Sequence, residues 1–192
     1  RHGWQAEPIA PMVFAAMGAA DCYQARFEDG GRWLDRAEDV LGPDAEPAKE
    51  LCVRYARGLQ RLGEGSLVAA AGLFAETQRI QAFMVAPDPL AISARGLRAQ
   101  SLVRLGDVPG ARVALETVSE LERAFADTQV ARASIRLAEG DPRAGLKELG
   151  DVISGSVPAV VPDISLINAR VISAIARDRL GDAPGAEDDI EG

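Results

Sequence analysis

One short turn sequence recurs along this chain and constrains its fold more than any other feature. Residues 105–111 read Leu-Gly-Asp-Val-Pro-Gly-Ala, and residues 180–186 repeat that sequence with Ala in place of Val. Residues 139–144 share the Gly-Asp pair, with Pro and Ala each one place earlier. Two looser versions, each centred on glycine, lie at residues 28–33 and 61–65. The chain is therefore expected to consist of a repeated structural unit.

The chemistry of this turn predicts two helices joined by a tight connection. Glycine ends the first helix because it adopts the left-handed conformation without a Cβ clash. The aspartate that follows can cap the second helix by accepting hydrogen bonds from its free amides. Proline fits the first turn of that helix, where its missing amide has no helical partner. Five helical hairpins are predicted, at about residues 7–42, 46–84, 89–126, 127–155 and 163–192.

The spacing of the turn glycines gives the length of the repeat. The markers are Gly31, Gly63, Gly106, Gly140 and Gly181. The shorter intervals lie close to a period of about 34 residues, and each longer interval contains a segment with two prolines. Proline excludes a continuing helix and favours extended geometry in the residue before it. Residues 84–89 and 156–163 are therefore predicted to be extended loops between hairpins.

Apolar residues recur at intervals of three and four positions between the turns, which is the helical period. Two sets illustrate it, Ala111-Leu115-Val118-Leu121 and Ile167-Val171-Ala174-Ile175. Each set is predicted to lie on one face of a single helix. No segment alternates polar and apolar residues between hairpin turns, so strands are not expected, although residues 157–161 are rich in valine.

The order of leucine, Gly-Asp and then a nearby alanine resembles the tetratricopeptide repeat. Seven residues before the turn glycine, the small packing position of that family is occupied by Ala56, Ala99, Ala133 and Ala174. The aromatic residue usual three places later is replaced by Leu59, Leu102, Arg136 and Arg177. The resemblance implies an all-α, right-handed superhelix (an α-solenoid) of about five antiparallel helix-turn-helix repeats, forming one domain over residues 1–192.

Loose repeats with helices rich in Arg and Ala also resemble the superhelical region of the large ATP-binding LuxR-type bacterial transcriptional regulators, which include the maltose-regulon activator. In that family the region lies between a nucleotide-binding motor and a C-terminal helix-turn-helix, and it receives an inducer or a regulatory partner. The alternative is a generic tetratricopeptide scaffold for protein–protein interaction, unrelated to transcription. The chain starts without Met and stops early in its last predicted helix, so it is expected to be part of a longer protein.

Composition argues against several classes of function. The net charge of -8 opposes direct nucleic-acid binding, which relies on clustered Lys and Arg. His2 is the only histidine, so a catalytic triad has no general base, and neither an enzyme, a metal site nor a cofactor is expected. Cys22 and Cys52 are expected to be core residues in a reducing cytoplasm. Neither a signal peptide nor a membrane-spanning segment is expected.

Other residues that could suggest a site have simpler interpretations. Trp33, Phe74, Phe83 and Phe125 are expected to pack in the core or between hairpins, and Trp4 against a preceding repeat. The acidic run at residues 187–191 is expected to be a solvated helix start that the helix dipole favours.

A ligand site, if present, is expected on the concave face formed by the first helices of successive hairpins. Counted from the turn glycines, the polar residues on that face are Arg57, Gln60, Arg61, Gln100, Arg104, Ser134 and Asn168. Such a row could bind a protein partner or a small-molecule effector, with an acidic peptide, a sugar or a carboxylate as the ligand chemistry. The alternative is that these residues form the hydrated side of amphipathic helices.

Overall fold

The computed structural model describes residues 7–191 of the chain. Within that range it contains eleven α-helices and no β-strand, which confirms the all-α prediction. The helices are α1 (Ala10–Tyr23), α2 (Phe27–Val40), α3 (Pro47–Gly63), α4 (Leu67–Gln81), α5 (Pro89–Arg104), α6 (Val108–Leu115), α7 (Glu120–Arg123), α8 (Ala126–Ala138), α9 (Pro142–Ile153), α10 (Pro162–Arg179) and α11 (Ala183–Glu191). None of these helices is long and apolar enough to cross a bilayer.

The described residues form two compact units, and the division falls within α5, between Ala94 and Arg95. In the first unit α1 packs on α2 and α3, and α3 packs on α4. The rings of Phe14 and Trp33 stack with their centroids 5.8 Å apart, and Phe74 is fully buried. Packing between neighbouring helices therefore holds this unit together.

The second unit contains the rest of α5 and the helices from α6 to α11. Small residues line its closest helix contacts: Ala99, Ala111 and Ala131 share one buried cluster with Ile135. A second cluster joins α8, α9 and α10 around Leu149, which is fully buried. Alanine lets helix axes approach because its side chain occupies little of the space between them.

Three turns of this second unit have the same geometry. Gly106, Gly140 and Gly181 have φ values of 82°, 83° and 80°. The aspartate after each glycine accepts a hydrogen bond from the amide three residues later, at N–O distances of 2.9, 3.0 and 3.2 Å. The predicted chemistry of the Gly-Asp turn is therefore confirmed at all three positions.

The first hairpin turn lies elsewhere than its glycines indicate. The connection between α1 and α2 passes through Ala25, whose φ is 58°, while Gly30 and Gly31 lie inside α2. A Cβ on Gly30 would lie 2.8 Å from Cys22 Sγ, and one on Gly31 would lie 2.6 Å from Gln60 Nε2. These glycines leave space for the side chains of Cys22 and Gln60 against α2. Because both lie inside a helix, their assignment to a turn was wrong.

Gly63, the second glycine that was predicted to mark a turn, lies at a helix end and not in the left-handed position of the turn. Gly63 is the last residue of α3, and the left-handed residue is Gly65, with φ 78°. A Cβ on Gly63 would clash with the ring of Phe27. The sequence placed this hairpin correctly but assigned the wrong glycine to the left-handed position.

The single helix predicted from Ala111 to Leu121 is interrupted. Helix α6 ends at Leu115, Val118 lies in the connection, and α7 begins at Glu120. A capping box starts α7: the Ser119 hydroxyl accepts from the Glu122 amide while the Glu122 carboxylate accepts from the Ser119 amide. This local hydrogen bonding begins a new helix, which the apolar spacing alone does not reveal.

Both predicted loops are confirmed as breaks between helices, since α4 ends at Gln81 and α5 begins at Pro89, and α9 ends at Ile153 and α10 begins at Pro162. Phe83 lies in the first loop and is 83% exposed, so its predicted packing role was wrong.

The other sequence interpretations have mixed outcomes. Trp33 packs against the core, and Phe125 and Cys22 are buried, as predicted, whereas Cys52 is only partly buried. Glu187 and Asp188 are exposed as predicted, whereas Asp189 is partly buried and accepts hydrogen bonds from Ser173 and Arg177. The acidic run lies beyond the first turn of α11, so its assignment to a helix start was wrong. The expectations for His2 and Trp4 lie outside the described residues.

Candidate functional site

A groove of about 530 Å³ lies on the second unit, where the C-terminal part of α5, α8 and α10 meet. It brings together four of the seven residues predicted from sequence. These four are Gln100 and Arg104 on α5, Ser134 on α8 and Asn168 on α10. The groove is defined hereafter as the α5–α8–α10 groove.

The polar residues of the groove are held by the helices that carry them. Gln100 Nε2 donates to the backbone oxygen of Asp127 at 3.2 Å, which ties α5 to the start of α8. Ser134 Oγ donates to the carbonyl of Val130 one helical turn earlier, at 2.8 Å. Asn168 is half-buried in the same groove. These amides and the hydroxyl retain further hydrogen-bonding capacity for a ligand.

The groove also has an apolar wall, made by Val103, Leu137, Ala138, Val171, Ile172 and Ile175. Val171 is 50% exposed and Ile175 is 41% exposed, although both belong to the apolar face predicted for α10. The prediction that these residues lie on a single helix is confirmed. No other described residue covers a large share of the exposed surface of Val171 and Ile175, and exposed apolar surface of this kind is typical of ligand-binding grooves and protein interfaces.

Two arginines give the groove its charge. Arg104 is exposed and has no hydrogen-bond or ion-pair partner among residues 7–191. Arg179 donates from Nη1 to the carbonyl of Leu137 at 2.7 Å, so it connects α10 to α8 and keeps its other N–H groups available. No acidic side chain of the described chain lines the groove. The groove is therefore a positively charged, half-apolar surface in a chain whose net charge is -8.

The close approach of α5 and α8 depends on Gly96. A Cβ at this position would lie 2.5 Å from the backbone carbon and oxygen of Asp127. Only glycine leaves enough space for the two helices at this separation, and the same contact allows Gln100 to reach the Asp127 carbonyl. Residues outside the groove thus determine its shape.

The two predicted residues Arg57 and Gln60 are engaged inside the first unit. Arg57 donates to Asp35 at 2.7 Å, to Glu38 at 2.8 Å and to Gln60 Oε1 at 2.8 Å. Burial alone would lower the pKa of Arg57, but hydrogen bonds to Glu38 and Asp35 outweigh it and raise the pKa above its usual value. Gln60 in turn donates to the carbonyl of Phe27. These contacts join α2 to α3.

Arg61, the third predicted residue of the first unit, is half-buried and forms an ion pair with Glu64 at 2.8 Å. The ligand-binding role expected for Arg57, Gln60 and Arg61 stays a prediction.

Sequence reasoning missed Arg179, and it did not assign the apolar face of α10 to the site. Arg179 lies two residues before the turn glycine Gly181, and Arg104 lies two residues before Gly106. The same repeat position therefore carries both cations, and comparing the turns by position would have found the pair.

No group of acidic, histidine or cysteine side chains in the described part of the chain could hold a metal ion. The α5–α8–α10 groove thus offers hydrogen bonds, two guanidinium groups and apolar surface, which are the means of binding a ligand. No family model, no curated protein and no solved structure matches this chain.

Proposed function

We propose that the chain is a non-catalytic binding region whose α5–α8–α10 groove receives a ligand with an apolar body and a carboxylate. The observation that carries the proposal is the charge of the groove. Arg104 and Arg179 line it without any acidic neighbour in the lining, although acidic residues outnumber basic ones in the chain as a whole. A guanidinium binds a carboxylate through two parallel hydrogen bonds, which fixes the orientation of the ligand.

The apolar wall supplies the second part of the recognition. Each methylene that a ligand buries contributes about 0.8 kcal/mol, and a hydrogen bond to a charged group contributes about 1.5 to 3 kcal/mol. Val171 and Ile175 expose the surface against which an aliphatic chain would pack. A ligand with both a carboxylate and an aliphatic chain gains binding free energy from the arginines and from the apolar wall. A neutral aliphatic ligand or a purely polar anion gains it from only one of the two.

Isothermal titration of the chain with octanoate tests this proposal. Octanoate is expected to bind more tightly than octanol, because octanol has the same carbon chain without the charge. The variant R104Q is expected to bind octanoate about tenfold more weakly. The matched control is R143Q, since Arg143 is an exposed arginine of the same unit that lies outside the groove. No octanoate binding, or equal binding by R104Q, would contradict the proposal.

We also propose that the region belongs to a LuxR-type bacterial transcriptional regulator, where it senses an effector or docks a regulatory protein. The support is the resemblance of its loose, Arg- and Ala-rich repeats to the superhelical region of those regulators. The Gly-Asp turns and the packing of neighbouring helices are compatible with such repeats. Tetratricopeptide-like stacking of these hairpins in a right-handed superhelix is part of this proposal. The complete reading frame tests it: an upstream P-loop and a downstream helix-turn-helix are expected, and the absence of both would contradict it.

A further inference from the structure

A second cavity of about 350 Å³ lies between α6, α7 and α8 of the second unit. Four arginines line it: Arg112, Arg123, Arg132 and Arg136. Its apolar floor consists of Leu115, Val118 and Ile135. None of these residues lines the α5–α8–α10 groove, so the two sites can be tested independently.

The break between α6 and α7 creates this cavity. Because α6 stops at Leu115 and the capping box at Ser119 starts α7, Arg112 and Arg123 belong to different helices yet line one cavity. Arg132 and Arg136 are one helical turn apart on α8, which places them on the same face. Three helices therefore contribute to the arginine cluster.

The acidic residues nearby do not neutralise the cluster. Glu139, the one carboxylate in the lining, pairs with both Nε and Nη2 of Arg112 and lies 3.7 Å from Arg136 Nη1. Arg132 is paired with Glu148 at 2.9 Å. Arg123 is exposed and has no hydrogen-bond or ion-pair partner within the described residues. Each guanidinium has five N–H donors, so most donors of the cluster have no acceptor from Glu139 or Glu148.

We propose that this cavity binds the phosphate monoester group of a small organic molecule. Such a group carries a charge of about -1.5 to -2 near pH 7 and has three strong acceptor oxygens. Arginine is well suited to it, because its planar fork can donate two hydrogen bonds to one phosphate. The apolar floor of Leu115, Val118 and Ile135 receives the organic part of the molecule. The volume lies at the lower end of the range of about 300 to 1,000 Å³ that is typical of ligand pockets.

Titration calorimetry with phenyl phosphate tests the proposal on the full chain. Phenyl phosphate is expected to bind about tenfold more tightly than phenyl sulfate, which carries one charge fewer, and than inorganic phosphate, which lacks the apolar ring. The double variant R123Q/R136Q is expected to weaken phenyl phosphate binding by at least about tenfold, while R143Q binds it as the parent chain does. Because these arginines are exposed, the thermal unfolding temperature of the double variant is expected to stay unchanged.

Replacement of Glu139 by glutamine is expected to raise the affinity for phenyl phosphate, whereas the arginine substitutions lower it. E139Q removes the competing negative charge from the lining and keeps an acceptor for Arg112, so tighter binding of phenyl phosphate is expected. Octanoate binding is expected to stay the same in R123Q/R136Q, which separates this site from the groove.

Three results would overturn the phosphate proposal: no binding of phenyl phosphate, equal affinity in R123Q/R136Q, or equal affinity for inorganic phosphate. A single-stranded oligonucleotide that binds more tightly than phenyl phosphate and depends on the same arginines would also overturn it, in favour of a nucleic-acid interface.

Discussion

Ala25 occupies the position in the first turn that glycine occupies in later turns. Its amide donates to the Cys22 carbonyl at 3.0 Å, and the Arg26 amide donates to the Asp21 carbonyl at 2.9 Å. The same pair of bonds closes the turn at Gly106, where the amides of Gly106 and Asp107 are the donors. Ala25 therefore adopts a φ of 58° that a Cβ disfavours.

Replacement of Ala25 by glycine is expected to stabilise the chain. The substitution removes the left-handed strain of about 1 to 2 kcal/mol from the folded state. Glycine also gives the unfolded chain more conformational entropy, which offsets part of this gain, so a net increase of about 0.5 to 1 kcal/mol in the free energy of unfolding is expected. Urea denaturation measures it. The control A20G, at an exposed position inside α1, should instead lose about 0.5 to 1 kcal/mol. A loss of stability in A25G would show that Ala25 is not strained.

The two thiols are expected to react slowly in the folded chain. Burial, with smaller contributions from Glu64 and Asp21, raises the pKa of Cys22 from 9.0 to about 11. Burial, followed by Asp88, also raises the pKa of Cys52. Iodoacetamide at pH 8 should therefore alkylate the folded chain much more slowly than the urea-unfolded chain, because the thiolate is the reactive form. Equal alkylation rates in the two states would contradict this expectation.

The same shift of the Cys22 pKa has a consequence for stability at high pH. A pKa that is raised in the folded state means that ionisation of the thiol favours the unfolded chain. The contribution of the protonated Cys22 thiol to the free energy of unfolding is fully present below pH 9 and is lost as the pH rises towards about 11. C22A is expected to have a smaller decline in unfolding free energy over that interval than the parent chain.

At the scale of elements, the sequence revealed most of the helices but not all of their ends. The three Gly-Asp turns, between α5 and α6, before α9, and between α10 and α11, were predictable because glycine, aspartate and the nearby proline each favour a helix end or start. The first turn was not predictable from the sequence. Alanine does not indicate a left-handed residue, although Ala25 is one, whereas Gly30 and Gly31 suggest a turn but lie inside α2. The break after α6 was missed because the capping box of Ser119 interrupts an apolar spacing that continues past it.

The contact of α5 with α8 gives a test at this scale. G96A should lower the free energy of unfolding by about 2 kcal/mol, because the new Cβ would meet the Asp127 backbone, which has little freedom to move. The matched control is G150A in α9, where a Cβ meets nothing within 4 Å. G150A should gain about 0.5 kcal/mol from its higher helix propensity. Equal effects of the two substitutions in urea denaturation would contradict the close packing.

At the scale of the molecule, four of the seven residues predicted to form a site lie together in the second unit. Gln100, Arg104, Ser134 and Asn168 line one groove, and counting from the turn glycines was enough to select them. The same count also selected Arg57, which is buried against Asp35 and Glu38. Position on a repeat gives the helix face, but only the neighbouring helix decides whether that face meets solvent or a pair of carboxylates.

The arginine cavity could not be predicted from the turn pattern. Its four arginines are separated in sequence, and their meeting depends on where α6 ends and α7 begins. Charge counting favours no such site either, because the chain as a whole is acidic.

Amide NMR of the chain during octanoate titration locates the bound ligand, and so tests the proposed binding role of the α5–α8–α10 groove residue by residue. Concentration-dependent shift changes are expected to concentrate at residues 100–104, 134–138 and 168–179, and to weaken in R104Q but not in R143Q. Shift changes that concentrate away from these three segments, or that are the same in R104Q, would contradict it.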